Sequence, residues 1–301
     1  MKKSSKSYFL FIGSMLIFST IGIFRRYIPF SSEFLAFARG ILGSAFLVVF
    51  CLITGHRIFN KIPYKTLLML VLIGALIGIN WMLLFEAYEY TSVSTATLCY
   101  YMEPAIVITL SPVFLNERLT VRKLLCTLAA VLGMVLVSGV LKGTALNSSD
   151  IRGILCGLGA AAFYSAVVIL SKKIPNVDTY EKTAIQLFSA AVVMIPYLLF
   201  GGKLSEAGVE MSGVTALPII MVVIVGIIHT GIAYAMYFGG MEGLKGQSVA
   251  IFSYIDPVGA LILSAVFLSE WMDAAGIIGA VLIIGAAMVG EGVISIKKRS
   301  N

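Results

Sequence analysis

Apolar runs long enough to cross a membrane succeed one another from residue 8 to residue 294. An α-helix needs about 20 such residues to traverse the hydrocarbon core of a bilayer. Only 12% of the residues are charged and 59% are apolar, whereas soluble domains carry roughly 25% charge. No soluble domain of any size fits between the runs. The expected fold is therefore an all-α integral membrane protein, with ten transmembrane helices near residues 8–28, 33–54, 66–86, 93–115, 121–141, 151–171, 182–200, 214–239, 247–268 and 273–294. Three lysines precede Tyr8 and no small-residue cleavage site follows the first run, so that run is expected to stay as a helix. Gly74/Gly78 and Gly153/Gly157 are spaced to let helix backbones approach closely.

The net charge of +7 does not call for nucleic acid, because basic residues of membrane proteins collect in cytoplasmic loops. With the amino terminus inside, sixteen of the 22 lysines and arginines fall on inner segments, five on outer ones and Arg39 within a span. Both termini are thus expected in the cytoplasm of a cell (plasma or inner) membrane. The four cysteines sit in or beside apolar runs, in no disulfide or metal-ligand spacing. No metal and no cofactor is expected, and no Walker-type phosphate loop points to ATP drive.

Residues 81–117 reappear at 234–270, shifted by 153 positions without a gap. Tyr101/Tyr254, Pro104/Pro257, Ser111/Ser264, Phe114/Phe267 and Glu117/Glu270 coincide, and Glu103 meets Asp256. The chain is a duplication, with halves 8–141 and 151–294 divided by the polar stretch from Lys142 to Asp150. Five spans per half is an odd number, so the second copy enters from the opposite face and the repeats are inverted. Loop charges agree: Arg118, Arg122 and Lys123 follow Glu117, whereas Trp271, Ala275 and Gly276 follow Glu270.

Transport sites of inverted repeats lie near the midplane, beside interrupted helices. Pro104 and Pro257 each remove a helix hydrogen bond and crowd the carbonyl four residues earlier, that of Tyr100 or Ser253. They are the expected kinks. Glu103 and Asp256 lie mid-span, where an ionised acid costs on the order of 3 kcal/mol, so they are expected to face a cavity and to exchange protons or meet substrate. Tyr100 and Ser253 share a helix face with the acids. Arg39, two turns into the second span, could neutralise Glu103 or hold a substrate carboxylate. His229 could bind substrate or protons, and with His56 in a loop it makes no metal pair. Asn80 and Trp81 align near Ala233 and Tyr234; with Tyr100, Tyr101, Tyr254, Tyr164 and Tyr237 they offer polar and aromatic surface for an amphipathic or cationic ligand. Glu86, Glu89, Glu117 and Glu270 stand near helix ends and are expected to be solvated.

The pattern Glu103-Pro104 through Phe114-Leu115-Asn116-Glu117-Arg118-Leu119, with its second copy from Asp256-Pro257 to Phe267-Leu268-Ser269-Glu270, resembles the EamA-type members of the drug/metabolite transporter superfamily over residues 8–294. The second copy departs from the pattern at Trp271-Met272. The resemblance implies alternating-access transport, often export, of a small metabolite, through a cavity lined by the first, third, fourth, sixth, eighth and ninth spans. A small polar or amphipathic metabolite such as an amino acid, with protons as coupling partner, is the expected cargo. The alternatives are an uncoupled facilitator and an integral-membrane lipid-modifying enzyme; the second lacks a nucleophile or metal cluster of suitable spacing.

Overall fold

The computed structural model describes residues 2–25, 27–55, 62–91, 93–138, 148–174, 177–200, 216–268 and 274–290. His56, Arg57, Lys61, Lys142, Lys203, Glu270, Trp271 and the tail from residue 291 lie outside them. All regular structure among the described residues is helical. In order the helices are α1 (Lys2–Ser19), α2 (Ile21–Arg25), α3 (Ser32–Thr54), α4 (Tyr64–Tyr90), α5 (Val93–Tyr100), α6 (Glu103–Phe114), α7 (Val121–Ser138), α8 (Ser148–Ser171), α9 (Thr179–Phe200), α10 (Ala216–Ile224), a π-helical stretch (Val225–Ile232), α11 (Ala233–Glu242), α12 (Gly246–Ser253), α13 (Ile255–Leu268) and α14 (Ala274–Gly290).

Seven stretches among the described residues are long and apolar enough to cross a membrane: Ser5–Arg25, Ser32–Thr54, Tyr64–Tyr90, Thr95–Phe114, Ser149–Ser171, Thr179–Phe200 and Ala216–Glu242. Their outer faces are apolar as well. Ile53 is 78% exposed and Phe200 90%, a surface suited to lipid and costly in water. Polar side chains set the helix ends. Ser31 accepts a bond from the Phe34 amide at the start of α3, and Gly55 closes α3 in the left-handed conformation at φ 70°. Asp178 accepts from the amides of Tyr180 and Glu181 at the start of α9.

Helix pairing follows the 153-residue shift. α4 packs on α8, and α1 packs on α11; α4 packs on α9, and α3 packs on the π-helical stretch. The shift maps each member of one pair close to a member of the other. α3 and its counterpart α9 pack together, as do α7 and α14. The expected small-residue contacts carry these crossings. A Cβ on Gly74 would stand 2.4 Å from the Gln186 carbonyl oxygen, and one on Gly78 2.6 Å from that of Ala190, both on α9. Gly153 and Gly157 similarly admit Thr91 and Cys99. In lipid such backbone approach supplies the dispersion contact that apolar burial supplies in water.

At the end of the bundle that carries Lys6 and Lys245, Lys182 of α9 is buried and pairs with Glu242 of α11. Lys172 donates to the carbonyl oxygens of Met241 (2.9 Å) and Leu244 beyond the last turn of α11, and burial lowers its ammonium from the usual lysine value.

Gly78→Ala is expected to destabilise the detergent-solubilised protein by about 1–3 kcal/mol through overpacking against α9. Gly285→Ala, where nothing lies within 4 Å of the added carbon, should be neutral or slightly stabilising. Thermal unfolding of both variants checks the contrast; equal melting temperatures would refute the close crossing.

Candidate functional site

The chain breaks its helices twice at corresponding places. α5 ends at Tyr100 and α6 begins at Glu103; α12 ends at Ser253 and α13 begins at Ile255. Proline explains both interruptions. Pro104 is the second residue of α6 and Pro257 the third of α13, positions where the missing N–H has no helix partner to lose. The preceding segments end in tighter turns, with the Met102 amide on the Cys99 carbonyl (3.2 Å) and the Tyr254 amide on that of Ile251 (3.4 Å). The expected kinks are interruptions of the helix hydrogen-bond ladder, across which Met102 and Tyr254 keep right-handed backbone angles. They place Glu103 and Asp256 in the first turns of α6 and α13, where the unpaired amides and the helix dipole favour negative charge.

Both acids reach one cavity of about 360 Å³. Of the residues singled out from sequence, Arg39, Trp81, Tyr100, Tyr101, Glu103, Tyr234 and Asp256 line it, together with Ser253, Tyr164 and Tyr237. The first span, α4, α5–α6, α8, α11 and α12–α13 contribute, as expected, and α3 joins them through Leu35, Ala36 and Arg39. Sequence reasoning missed Phe18, Phe85, Tyr88 and Thr97, also on the wall. Their spacing places them on helices without saying which face is inward, so no local signal marks them.

The wall is aromatic and carries charge of both signs. The Arg39 guanidinium lies 4.4 Å from the centre of the Trp81 ring, a cation–π contact. From Trp81 the rings continue to Tyr234 (6.3 Å), Tyr237 (6.4 Å), Tyr164 (6.3 Å) and Tyr100 (6.1 Å). Tyr101 donates a hydrogen bond to Asp256 at 3.2 Å, linking the two breaks. Glu103 is 5% exposed, and its Oε1 has no hydrogen-bond partner among the described residues.

Three sequence candidates lie elsewhere. Asn80 is fully buried and donates to the Ala160 carbonyl oxygen at 2.7 Å, joining α4 to α8. His229, in the π-helical stretch, has its Nε2 2.8 Å from the Thr20 hydroxyl and its ring against Phe24. Tyr254 is buried in an apolar cluster with Cys126, Met134 and Ile283. Two larger grooves, about 770 and 730 Å³, hold none of the sequence candidates; the smaller cavity is preferred because Arg39, Glu103 and Asp256 converge in it among aromatic rings.

One end of the bundle is closed. α6 packs on α12, whereas the repeat-related pair, α13 and α5, does not pack comparably among the described residues. Asn116, left-handed at φ 55°, turns the chain after α6. Glu117 then accepts bonds from the amides of Gly246 (2.6 Å) and Gln247 (3.0 Å), capping α12, while the Gln247 side chain donates to Ser111 at 2.7 Å. Glu117 is not merely solvated; it ties the halves together. Glu86 is half-buried and accepts from the Tyr197 hydroxyl at 2.7 Å, while Glu89 is exposed as expected.

In a background without the four native cysteines, Val249→Cys should resist maleimide, since Val249 is fully buried. Adding Glu117→Ala should raise its labelling rate several-fold. An unchanged rate would show that the seal does not depend on Glu117.

The pattern that defines the EamA-like transporter family matches residues 5–139 and 151–289. A protein of Bacillus subtilis (strain 168) described as uncharacterized transporter YxxF is 31% identical over 94% of this chain and 88% of its own length. The aromatic amino acid exporter YddG of Ancylobacter novellus is 26% identical over 72% of this chain and 73% of its own. Protein PecM of Dickeya dadantii is 25% identical over 76% and 75%. A solved crystal structure shares the fold, with a TM-score of 0.82, 22% identity and coverage of 97% of this chain and 99% of that one.

Proposed function

We infer the function from one premise: the chain belongs to the EamA-like transporter family. It is a multi-pass membrane transporter of small molecules. Beyond that, our reading is a secondary active exporter with ten spans in two inverted five-helix repeats, residues 8–141 and 151–294, and both termini in the cytoplasm. The seven long apolar stretches, completed by α7, α12–α13 and α14, support the count. The paired packing of shifted helices supports the symmetry, and the charge bias supports the orientation.

The cavity carries the proposal: one chamber in which Arg39, Glu103 and Asp256 meet an aromatic wall, in a bundle closed at the Glu117 end. Such a chamber suits a small polar or amphipathic metabolite, such as an amino acid, better than a purely lipophilic one. Arg39 holds a carboxylate through its planar fork. Glu103 and Asp256 accept an amine or a coupling proton. Alternating access exchanges the seal between α6–α12 and its counterpart around a fixed site. The naming of one relative as an aromatic amino acid exporter supports the direction and the ligand class.

Proteoliposomes test the reading. Thermal stabilisation against a metabolite panel, including compounds without an amine, identifies the substrate, because a ligand that binds the folded state raises its apparent stability. Transport of that substrate should depend on an imposed pH gradient and should fall at least tenfold in Glu103→Gln or Asp256→Asn. Unchanged transport and unchanged pH dependence in both variants would sink the assignment. Indifference of the wild type to the gradient would indicate a facilitator.

A further inference from the structure

The repeat makes Glu103 and Asp256 equivalent by position, but the tertiary structure makes them unlike. Asp256 has a partner from the opposite half, the Tyr101 hydroxyl at 3.2 Å. A symmetric molecule would give Glu103 the matching bond from Tyr254. Tyr254 instead lies in the apolar cluster around α7 and α14, and its hydroxyl has no partner among the described residues. Glu103 is left 5% exposed, with Oε1 orphaned. A carboxyl oxygen shut away from water and unpaired is costly unless a donor or cation arrives. Glu103 and Asp256 both line the cavity, so such a donor can come from its contents.

We propose that the two acids have divided tasks: Glu103 is the counter-ion for the substrate's ammonium group, and Tyr101 is a positioning residue that holds Asp256 and so couples the two helix breaks. This rests on the transport reading above. The surroundings favour an organic ammonium over a bare metal ion. The rings of Tyr100, Tyr164 and Tyr237 form one end of the aromatic wall, and ring faces attract ammonium groups. A hard metal ion requires several oxygen ligands, and no group of three or more acidic, histidine or cysteine side chains forms one among the described residues. Arg39 on Trp81 stands at the far end of the same run of rings. The cavity thus has an ammonium end and a carboxylate end, separated by aromatic surface.

Three probes separate these ends: phenylalanine, phenethylamine, which lacks the carboxylate, and hydrocinnamate, which lacks the amine. Calorimetric binding to the purified wild type should favour the two amines over hydrocinnamate. Glu103→Gln should cost the amines about tenfold or more in affinity and leave hydrocinnamate nearly unchanged, the scale of one lost charge-assisted bond. Glu103→Asp, which keeps the charge, should retain the preference, whereas Arg39→Gln should weaken phenylalanine and hydrocinnamate, which carry the carboxylate, and spare phenethylamine. Tyr101→Phe and Asp256→Asn should slow proteoliposome transport non-additively while moving the amine preference by less than about threefold. Loss of the amine preference in Asp256→Asn, or its survival in Glu103→Gln, would overturn the division. Failure of the wild type to bind either amine would overturn the ammonium assignment and leave the transport reading to the metabolite panel.

Discussion

Water is absent from the bilayer core, and this constraint governs the rest of the structure. Each amide and carbonyl there has to be satisfied within the protein, which makes uninterrupted helices the default. Two prolines suspend the default at corresponding places, before α6 and before α13. The exposed backbone polarity at the breaks is tolerated because it lies within the bundle, against a cavity. The same breaks create two short helix starts, and those starts are where carboxyl groups are least costly. The position of Glu103 and Asp256 is thus a consequence of the prolines.

Repeated sequence does not make a symmetric molecule. α6 closes on α12 through Glu117, Gln247 and Ser111, while α5 and α13 do not pack comparably among the described residues. Tyr101 crosses to Asp256, while Tyr254 remains in the apolar cluster. Two packings of equivalent elements coexist within one molecule. The close crossings at Gly74 and Gly78 join α4 to α9 and involve neither α6 nor α12.

Much of the site was legible in the sequence. A charge inside an apolar run marks itself, because lipid does not tolerate it without a reason; Arg39, Glu103 and Asp256 were singled out in this way, and Trp81 as aromatic surface for a ligand. Depth, however, is not direction. Asn80 and Trp81 are neighbours in sequence, but they point about 100° apart on a helix; Trp81 faces the cavity and Asn80 the Ala160 carbonyl. His229 was the same kind of signal with a local answer, the Thr20 hydroxyl. Glu117 read as solvated because its partners, the first amides of α12, are 129 and 130 residues away, and backbone amides leave no mark in a sequence pattern.

The amino-acid sequence alone determined that long apolar runs recur along the chain, that residues 81–117 are repeated at 234–270, and that an acid and a proline stand at the same place in each copy. These follow from local chemistry: run length, the missing proline N–H and the cost of a charge in hydrocarbon. Tertiary structure alone decided which of two equivalent acids is paired, which end of the bundle is sealed, and which aromatic rings share a wall. Those depend on the rotation and approach of whole helices, set by summed contacts between distant residues that no single stretch of sequence contains.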